Sequence, residues 1–291
     1  MSVSAVSVFS LPSTTALIRL GLEEDLSLGD LVSDAVFAPE QISSAVIIAR
    51  QRLIACGLPV VAEIAKVAGS SIRAQIAVAE GTEVENDGVL IRLKGPTAEL
   101  LKLERLMLNF LQRMSGIATL ANLWAKAANG ITVLDTRKTL PGYRALDKYA
   151  TRVGGVMNHR MNLGSMAMVK NNHVDGVKDG SPAQAIGKIA KLVRRAAPLA
   201  TPLEIEVRDL KELRAAISAR ADVIMLDNMS EGELAGAFKL LRSRRFSGIV
   251  EVSGGISIER LPALKKLGVR CVSVGSLTHS VKAADISLRI V

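Results

Sequence analysis

Residues 203–228 read LEIEVRDLKELRAAISARADVIMLDN, and this stretch sets the fold class. Its two ends, Leu203–Val207 and Val223–Leu226, are short apolar runs of strand length. Residues 209–219 between them are helical in pattern. Two neighbouring parallel strands need a crossover of about this length, and a helix is the usual one. The unit therefore predicts a parallel α/β sheet.

The same rhythm extends outward in both directions. Strands are expected at Ile131–Leu134, Met166–Val169, Ile249–Val252 and Val269–Val274, with helices at about 142–154, 182–197, 230–244 and 257–267. Strand–helix alternation of this kind forms either an open sheet or a barrel. The chain before residue 131 reads differently. Ser44–Ala49, Ser71–Val78 and Gly88–Lys94 are strand-like and separated by glycine turns, with a helix expected from Pro59 to Val67. Thr97–Ala128 carries a long helical pattern whose Leu100, Leu103, Met107, Leu111 and Met114 form one buried stripe, with a break expected near Ser115-Gly116. A strand-rich N-terminal domain followed by a βα barrel is the expected architecture.

Composition narrows the function. With 291 residues the chain is long enough for one large or two modest domains. Aromatic residues make up only 3% against 49% hydrophobic, so the core is aliphatic. Lys and Arg outnumber Asp and Glu by 37 to 28, an excess that draws anions without naming them. Single-strand nucleic-acid binders use aromatic stacking platforms, which this composition does not offer, so nucleic acid is not expected as a partner. Cys56 and Cys271 lie far apart in apolar contexts and read as free thiols of a reducing compartment. The first eighteen residues have neither a basic segment nor a continuous apolar run. They read as a loose tail rather than a signal peptide or membrane span, with Thr14 or Thr15 capping a short helix after it. A cytoplasmic protein is expected.

Parallel α/β folds place their chemistry where strands end. Ile131–Leu134 is followed by Asp135-Thr136-Arg137-Lys138 and then turns at Pro141-Gly142. The next strand is preceded by Asn158-His159-Arg160 and ends Lys170-Asn171-Asn172-His173. Glu204 and Glu206 share one face of their strand by the period of two. Later strands end in Asp227-Asn228, Ser253-Gly254-Gly255 and Gly275-Ser276-Leu277-Thr278-His279. One cation after a strand is ordinarily solvated. Arg137, Lys138, His159, Arg160 and Lys170, converging from different loops, would repel one another unless they meet a multiply anionic ligand. Glu206 and Asp227 stand opposite and suit a metal-bound polyphosphate, ribose hydroxyls or a developing positive charge. The late Ser-Gly-Gly and Val-Gly-Ser turns let backbone N–H groups approach a phosphate. His159, His173 and His279 lack the spacing of a three-histidine metal centre and fit hydrogen-bonding or anion-binding roles better.

In that setting Asp-Thr-Arg-Lys-Thr-x-Pro-Gly-x-Arg at 135–144, Gly-Gly-x-x-Asn-His-Arg at 154–160 and Lys-x-Asn-His at 170–173 resemble quinolinate phosphoribosyltransferase. The likeness continues through 24–30, 104–119, Glu-Ile-Glu-Val at 204–207, 225–229, Ser-Gly-Gly-Ile at 253–256 and 274–280. It implies an α/β sandwich over 1–113 and an incomplete, open α/β barrel of the type II phosphoribosyltransferase kind over 114–279, with 280–291 returning to the sandwich. It implies a homodimer, or a hexamer built as a trimer of dimers, in which Arg105 is contributed across the interface. The implied reaction joins quinolinate to 5-phosphoribosyl-1-pyrophosphate with Mg²⁺, giving nicotinate mononucleotide, pyrophosphate and CO₂. By the same resemblance Arg105, Arg137, His159, Arg160 and Lys170 hold quinolinate. Lys138, Ser253, Gly254, Gly275 and His279 hold the phosphoribosyl donor, and Lys138, Glu206 and Asp227 are catalytic, the two carboxylates facing the metal. Asn162, Ser165 and Asn172 depart from the pattern, near Lys170. The alternatives are a pyrophosphorylase-like protein of molybdenum-transport type and a non-catalytic anion-binding barrel.

Overall fold

The computed structural model describes residues 8–178 and 180–291. The chain forms two compact units, one of Met1–Ala125, Lys138–Val156 and Ser276–Val291, the other of Lys126–Arg137 and Met157–Gly275.

The first unit is built on strands β1 (Ile42–Ala49), β2 (Leu53–Ile54), β3 (Arg73–Ile76), β4 (Glu83–Val84) and β5 (Val89–Pro96). The terminal strand Ile286–Ile290 joins β1, β5 and β3 in one antiparallel sheet, in the order terminal strand, β1, β5, β3. Its register sets Ile47 opposite Ile91, both fully buried, so one face of the sheet enters the aliphatic core. The long helix Thr97–Ala127 brings the stripe Leu100, Met107, Leu111 and Met114 into the same core.

That helix runs without the break expected at Ser115-Gly116. Gly116 is there for close approach: a Cβ on it would run into the carbonyl oxygen of Lys282. Ser115 Oγ accepts from the Cys56 N–H at 3.2 Å instead of competing for the helix backbone. The expected tail is also shorter than the sequence suggests. A helix starts at Pro12, and Val8 and Phe9 are buried, with Phe9 edge-on to Tyr149 at 5.2 Å. The Phe9–Tyr149 contact and the Thr14 hydroxyl, which donates to Val8 O at 2.8 Å, hold the segment in place. Residues 1–7 lie outside the described part. Leu31–Val36 is a further short helix, which begins because Asp30 accepts from the Val32 and Ser33 N–H groups.

The second unit contains β6 (Thr132–Leu134), β7 (Ala167–Val169), β8 (Leu203–Val207), β9 (Val223–Asp227), β10 (Ile249–Ser253) and β11 (Cys271–Ser273). They form one parallel sheet in the order β6-β11-β10-β9-β8-β7. The edges β6 and β7 are not paired with each other, so the barrel is open. Met157 makes a parallel bridge to Leu134 on the β6 edge. Helices Pro182–Ala196, Leu210–Ser218, Glu231–Ser243 and Leu261–Leu267 provide crossovers where the sequence pattern placed them.

Register identifies the inner face. Paired residues of parallel strands share a face, and Met225 of β9 pairs with both Glu206 of β8 and Glu251 of β10. Two residues on, Asp227 pairs with Ser253. At the strand starts Glu204 pairs with Val223. The inner face therefore carries four carboxylates, Glu204, Glu206, Asp227 and Glu251.

Candidate active site

Because the six strands run parallel, their C-terminal ends lie on one rim of the second unit. Arg137, Lys170, Glu206, Asp227, Ser253, Gly254 and Gly275 all stand at or just beyond those ends. Lys170 Nζ lies 3.9 Å from Glu206 Oε2, and Glu206 Oε1 accepts from the Asn171 N–H at 3.3 Å. Lys170 is held by the short helix Asn171–Gly176, whose His173 turns back to accept the Lys170 N–H on Nδ1 at 2.9 Å. His173 thus serves the backbone.

Asp227 accepts from Asn228 Nδ2 at 2.9 Å. Asn228 and Gly254 form the adjoining turns, with Asn228 N–H donating to Ser253 O at 3.0 Å. Gly254 has φ +89°, and a Cβ there would press on Asn228. Only glycine fits that turn, which leaves the strand end open for a ligand to approach the backbone. Glu206 and Asp227 offer hard carboxylate oxygens from one face of the sheet, the donor chemistry that Mg²⁺ takes.

His159 and Arg160 occupy the barrel interior. Asp135, fully buried, accepts from the His159 N–H at 2.8 Å and from Asn158 Nδ2 at 2.6 Å, fixing the segment at its start. The His159 ring points inward, with Nε2 3.2 Å from Glu204 Oε2 and 3.4 Å from Glu251 Oε2. Nδ1 accepts from the Arg160 N–H at 2.7 Å. Burial pushes the imidazole pKa down, Glu204 and then Glu251 push it up, and the carboxylates prevail at about 9. Both carboxylates face Nε2, so the proton they favour sits there. The carboxylates alone would favour the imidazolium below that pH, but a second proton on Nδ1 would have to displace the Arg160 N–H. That 2.7 Å contact requires a lone pair on Nδ1, so the geometry fits a ring carrying its proton on Nε2 alone.

Arg160 is nearly buried and donates from Nη1 to Met166 O at 2.9 Å. Burial first, and then Arg137, lower its pKa, while Glu204 raises it. Arg137 comes close enough to act on Arg160, and its own Nε is buried without a hydrogen-bond partner. Burial raises the Glu204 carboxyl, opposed by His159. Beside this cluster a cavity of about 640 Å³ follows the barrel interior toward the strand starts, lined by Leu134, Val223, Ile249, Glu251 and Cys271 among others.

Three of the expected site residues belong to the first unit. Arg105 is exposed on the long helix. Lys138 is exposed, and its carbonyl accepts from Thr278 Oγ1 at 2.9 Å. Thr278 O in turn accepts from Arg113 Nη2 at 3.3 Å. His279, next along the chain, has Nδ1 2.6 Å from Ser280 Oγ. Arg113 clamps the buried Asp147 through Nε at 2.9 Å and Nη2 at 2.7 Å. The segments holding Lys138 and His279 are therefore tied together inside that unit.

Glu251 and the inward role of Glu204 went unassigned in the sequence reading. A signal existed: Glu251 interrupts the apolar run Ile249-Val250-x-Val252 in the middle of a strand, where an unpaired buried charge is costly. Asn162 accepts from the Gly164 and Ser165 N–H groups at 3.0 Å each, so two of the departures from the expected pattern form one exposed turn.

Known proteins are similar to this chain along nearly its whole length. The family profile for the quinolinate phosphoribosyl transferase C-terminal domain matches residues 117–289, and that for the N-terminal domain matches 30–115. A probable nicotinate-nucleotide pyrophosphorylase [carboxylating] of Bacillus subtilis is 38% identical over 269 residues, covering 92% of this chain and 90% of that protein. The nicotinate-nucleotide pyrophosphorylase [carboxylating] of Mycobacterium leprae is 37% identical over 278 residues, covering 93% and 95%. Among solved structures, the nicotinate-nucleotide pyrophosphorylase of Francisella tularensis superposes with a TM-score of 0.84 at 34% identity, covering 98% of this chain and 99% of that one.

Proposed function

The chain belongs to the quinolinate phosphoribosyltransferase family, and from that premise we propose how its residues share the work of the reaction. It transfers the phosphoribosyl group of 5-phosphoribosyl-1-pyrophosphate to quinolinate and decarboxylates the product, a step of NAD biosynthesis. The ring nitrogen of quinolinate bonds to ribose C1 as the bond to pyrophosphate breaks. The ring then carries a positive charge. It draws in the electron pair of the C2–carboxylate bond, releasing CO₂, and C2 takes up a proton to give nicotinate mononucleotide.

The observation that supports the residue roles is the shared register of β8, β9 and β10, with cations at the ends of the neighbouring strands. Arg137, Arg160 and Lys170, with His159, would receive the two carboxylates of quinolinate. Lys138 would meet the leaving pyrophosphate. Ser253, Gly254, Gly275 and His279 would cradle the 5-phosphate. Glu206 and Asp227 would face the ribose, where negative charge stabilises an oxocarbenium-like transition state. Glu206 and Asp227 are also the side chains that would hold Mg²⁺, which would supply positive charge to offset that of the pyrophosphate leaving group.

A homodimer or a hexamer of dimers, with Arg105 reaching a partner's quinolinate, is the proposed assembly. Its support is that Arg105 is exposed and that Leu28 and Leu31 are 95% and 88% exposed on one segment of the first unit, an apolar surface suited to cover. The buried free thiols Cys56 and Cys271 support a reducing, cytoplasmic setting. Among the described residues no helix is long and apolar enough to cross a membrane.

Purified protein given quinolinate, phosphoribosyl pyrophosphate and Mg²⁺ should release CO₂ and form nicotinate mononucleotide. Turnover of nicotinate but not quinolinate would overturn the reading. Arg105→Ala mixed with Lys138→Ala, under conditions of subunit exchange, should recover activity that neither has alone. Proven exchange without recovery would refute the shared site.

A further inference from the structure

Glu204 and Glu251 have no part in the roles above, yet they are 0% and 1% exposed. Two carboxylates buried side by side are unfavourable unless something compensates them. Both oxygens of Glu204 and Oε1 of Glu251 lack a hydrogen-bond partner of good geometry. What the two share is His159 Nε2, at 3.2 and 3.4 Å.

The three ligand atoms lie within 4.8 Å of one another, a spacing that a metal ion could also occupy. The far side of the ring argues against one. Nδ1 accepts the Arg160 N–H at 2.7 Å, which leaves the ring's proton on Nε2. A metal would need the Nε2 lone pair, with Nδ1 donating instead. The cluster is built around an N–H.

We propose that Glu204 and Glu251 are positioning residues for quinolinate recognition, clamping the His159 ring through its Nε2–H so that the ring fixes the backbone of Arg160 and aims its guanidinium. The inference rests on quinolinate being the substrate. The chain of contacts is continuous. Asp135 grips the His159 N–H, the two glutamates hold one end of the ring, and the other end receives the Arg160 N–H. Arg160 Nη1 is spent on Met166 O, which orients the remaining donors of the guanidinium. A planar fork recognises a carboxylate only in a narrow range of orientations, so a freed ring would cost affinity without removing any charge from Arg160.

Charge and geometry make opposite forecasts here, which gives a clean test. Glu204→Gln or Glu251→Gln keeps shape and removes a negative charge. If the glutamates only tempered the positive field, the KM for quinolinate would fall in these variants. If they position His159, it should rise about tenfold, or ~1.4 kcal/mol, with the KM for phosphoribosyl pyrophosphate and kcat little changed. Glu204→Gln added to His159→Ala should have no further effect, because the glutamate acts through the ring. A lower quinolinate KM, equal changes in both KM values, or effects that multiply in the double variant would each overturn the proposal.

A second readout does not depend on turnover. The chain has three histidines, so ¹⁵N spectra of the imidazoles are readily assigned by substitution. In the unliganded protein His159 should show a protected Nε2–H and an unprotonated Nδ1, and this signature should be lost in Glu204→Gln. A wild-type Nδ1–H tautomer, or a Zn²⁺-induced loss of the Nε2 proton at stoichiometric metal, would sink the clamp. If quinolinate is not turned over while the signature is present, the substrate reading fails and the clamp stands.

Discussion

Replacing Arg113 by Ala should be among the most damaging single changes in the first unit. Arg113 forms a bidentate pair with Asp147, whose side chain is 0% exposed, while its own is 18% exposed. Its guanidinium also lies 5.5 Å from the centre of the Tyr143 ring, which stacks on Phe110. Removing the arginine takes the bidentate partner away from a buried carboxylate, a loss of about 3–5 kcal/mol, and the ring contact adds roughly 0.5–1 kcal/mol. The melting temperature should drop by on the order of 10 °C. Arg113 also binds Thr278 O, and Thr278 holds the Lys138 carbonyl, so residual folded enzyme should turn over more slowly. Urea denaturation of Arg113→Ala, Asp147→Leu and the Arg113→Met/Asp147→Leu double variant provides the assay. The double variant should recover at least half of the single-variant loss, since it removes both charges of the pair together. A loss below about 1 kcal/mol for Arg113→Ala, the worth of a solvated ion pair, would refute the reasoning, as would additivity in the double variant.

Gly116→Ala should destabilise by about 1–3 kcal/mol, because its methyl group would meet the Lys282 carbonyl. Gly187→Ala, in helix Pro182–Ala196 with nothing near its Cβ, should stabilise by roughly 1 kcal/mol; denaturant midpoints check both signs. Neither thiol should react with an aromatic disulfide reagent in the native protein, while both should react in denaturant. Burial, and then Glu251 and Glu204, push Cys271 up to about 12, and burial with Glu80 raises Cys56; rapid native labelling would contradict this. Chelation should abolish turnover, and Mg²⁺ should restore it. Asp227→Asn should lower kcat more than it raises either KM, and an unchanged kcat would remove Asp227 from the ribose-facing role.

The parallel unit was legible from local pattern alone. Leu203–Val207 begins and ends where the sequence pattern set it, because a buried strand and its crossover helix each leave a distinct periodicity. Short elements were harder to read. Leu31–Val36 depends on one capping aspartate, and Asn171–Gly176 on His173 bonding back to Lys170. Ser115-Gly116 resembled a helix break, since nothing local reveals the backbone at Lys282 that needs a glycine opposite it.

The candidate site divides in the same way. Residue type and order along the chain determined which cations and carboxylates follow which strand, because strand ends are set by local hydrophobic runs. Only the tertiary structure decided that His159 turns inward and that Glu251 meets Glu204 across its ring. Those two glutamates lie 47 positions apart on strands separated by β9, and their meeting follows from sheet order and register. Sheet order is a product of long-range packing, for which a single strand's sequence holds no code.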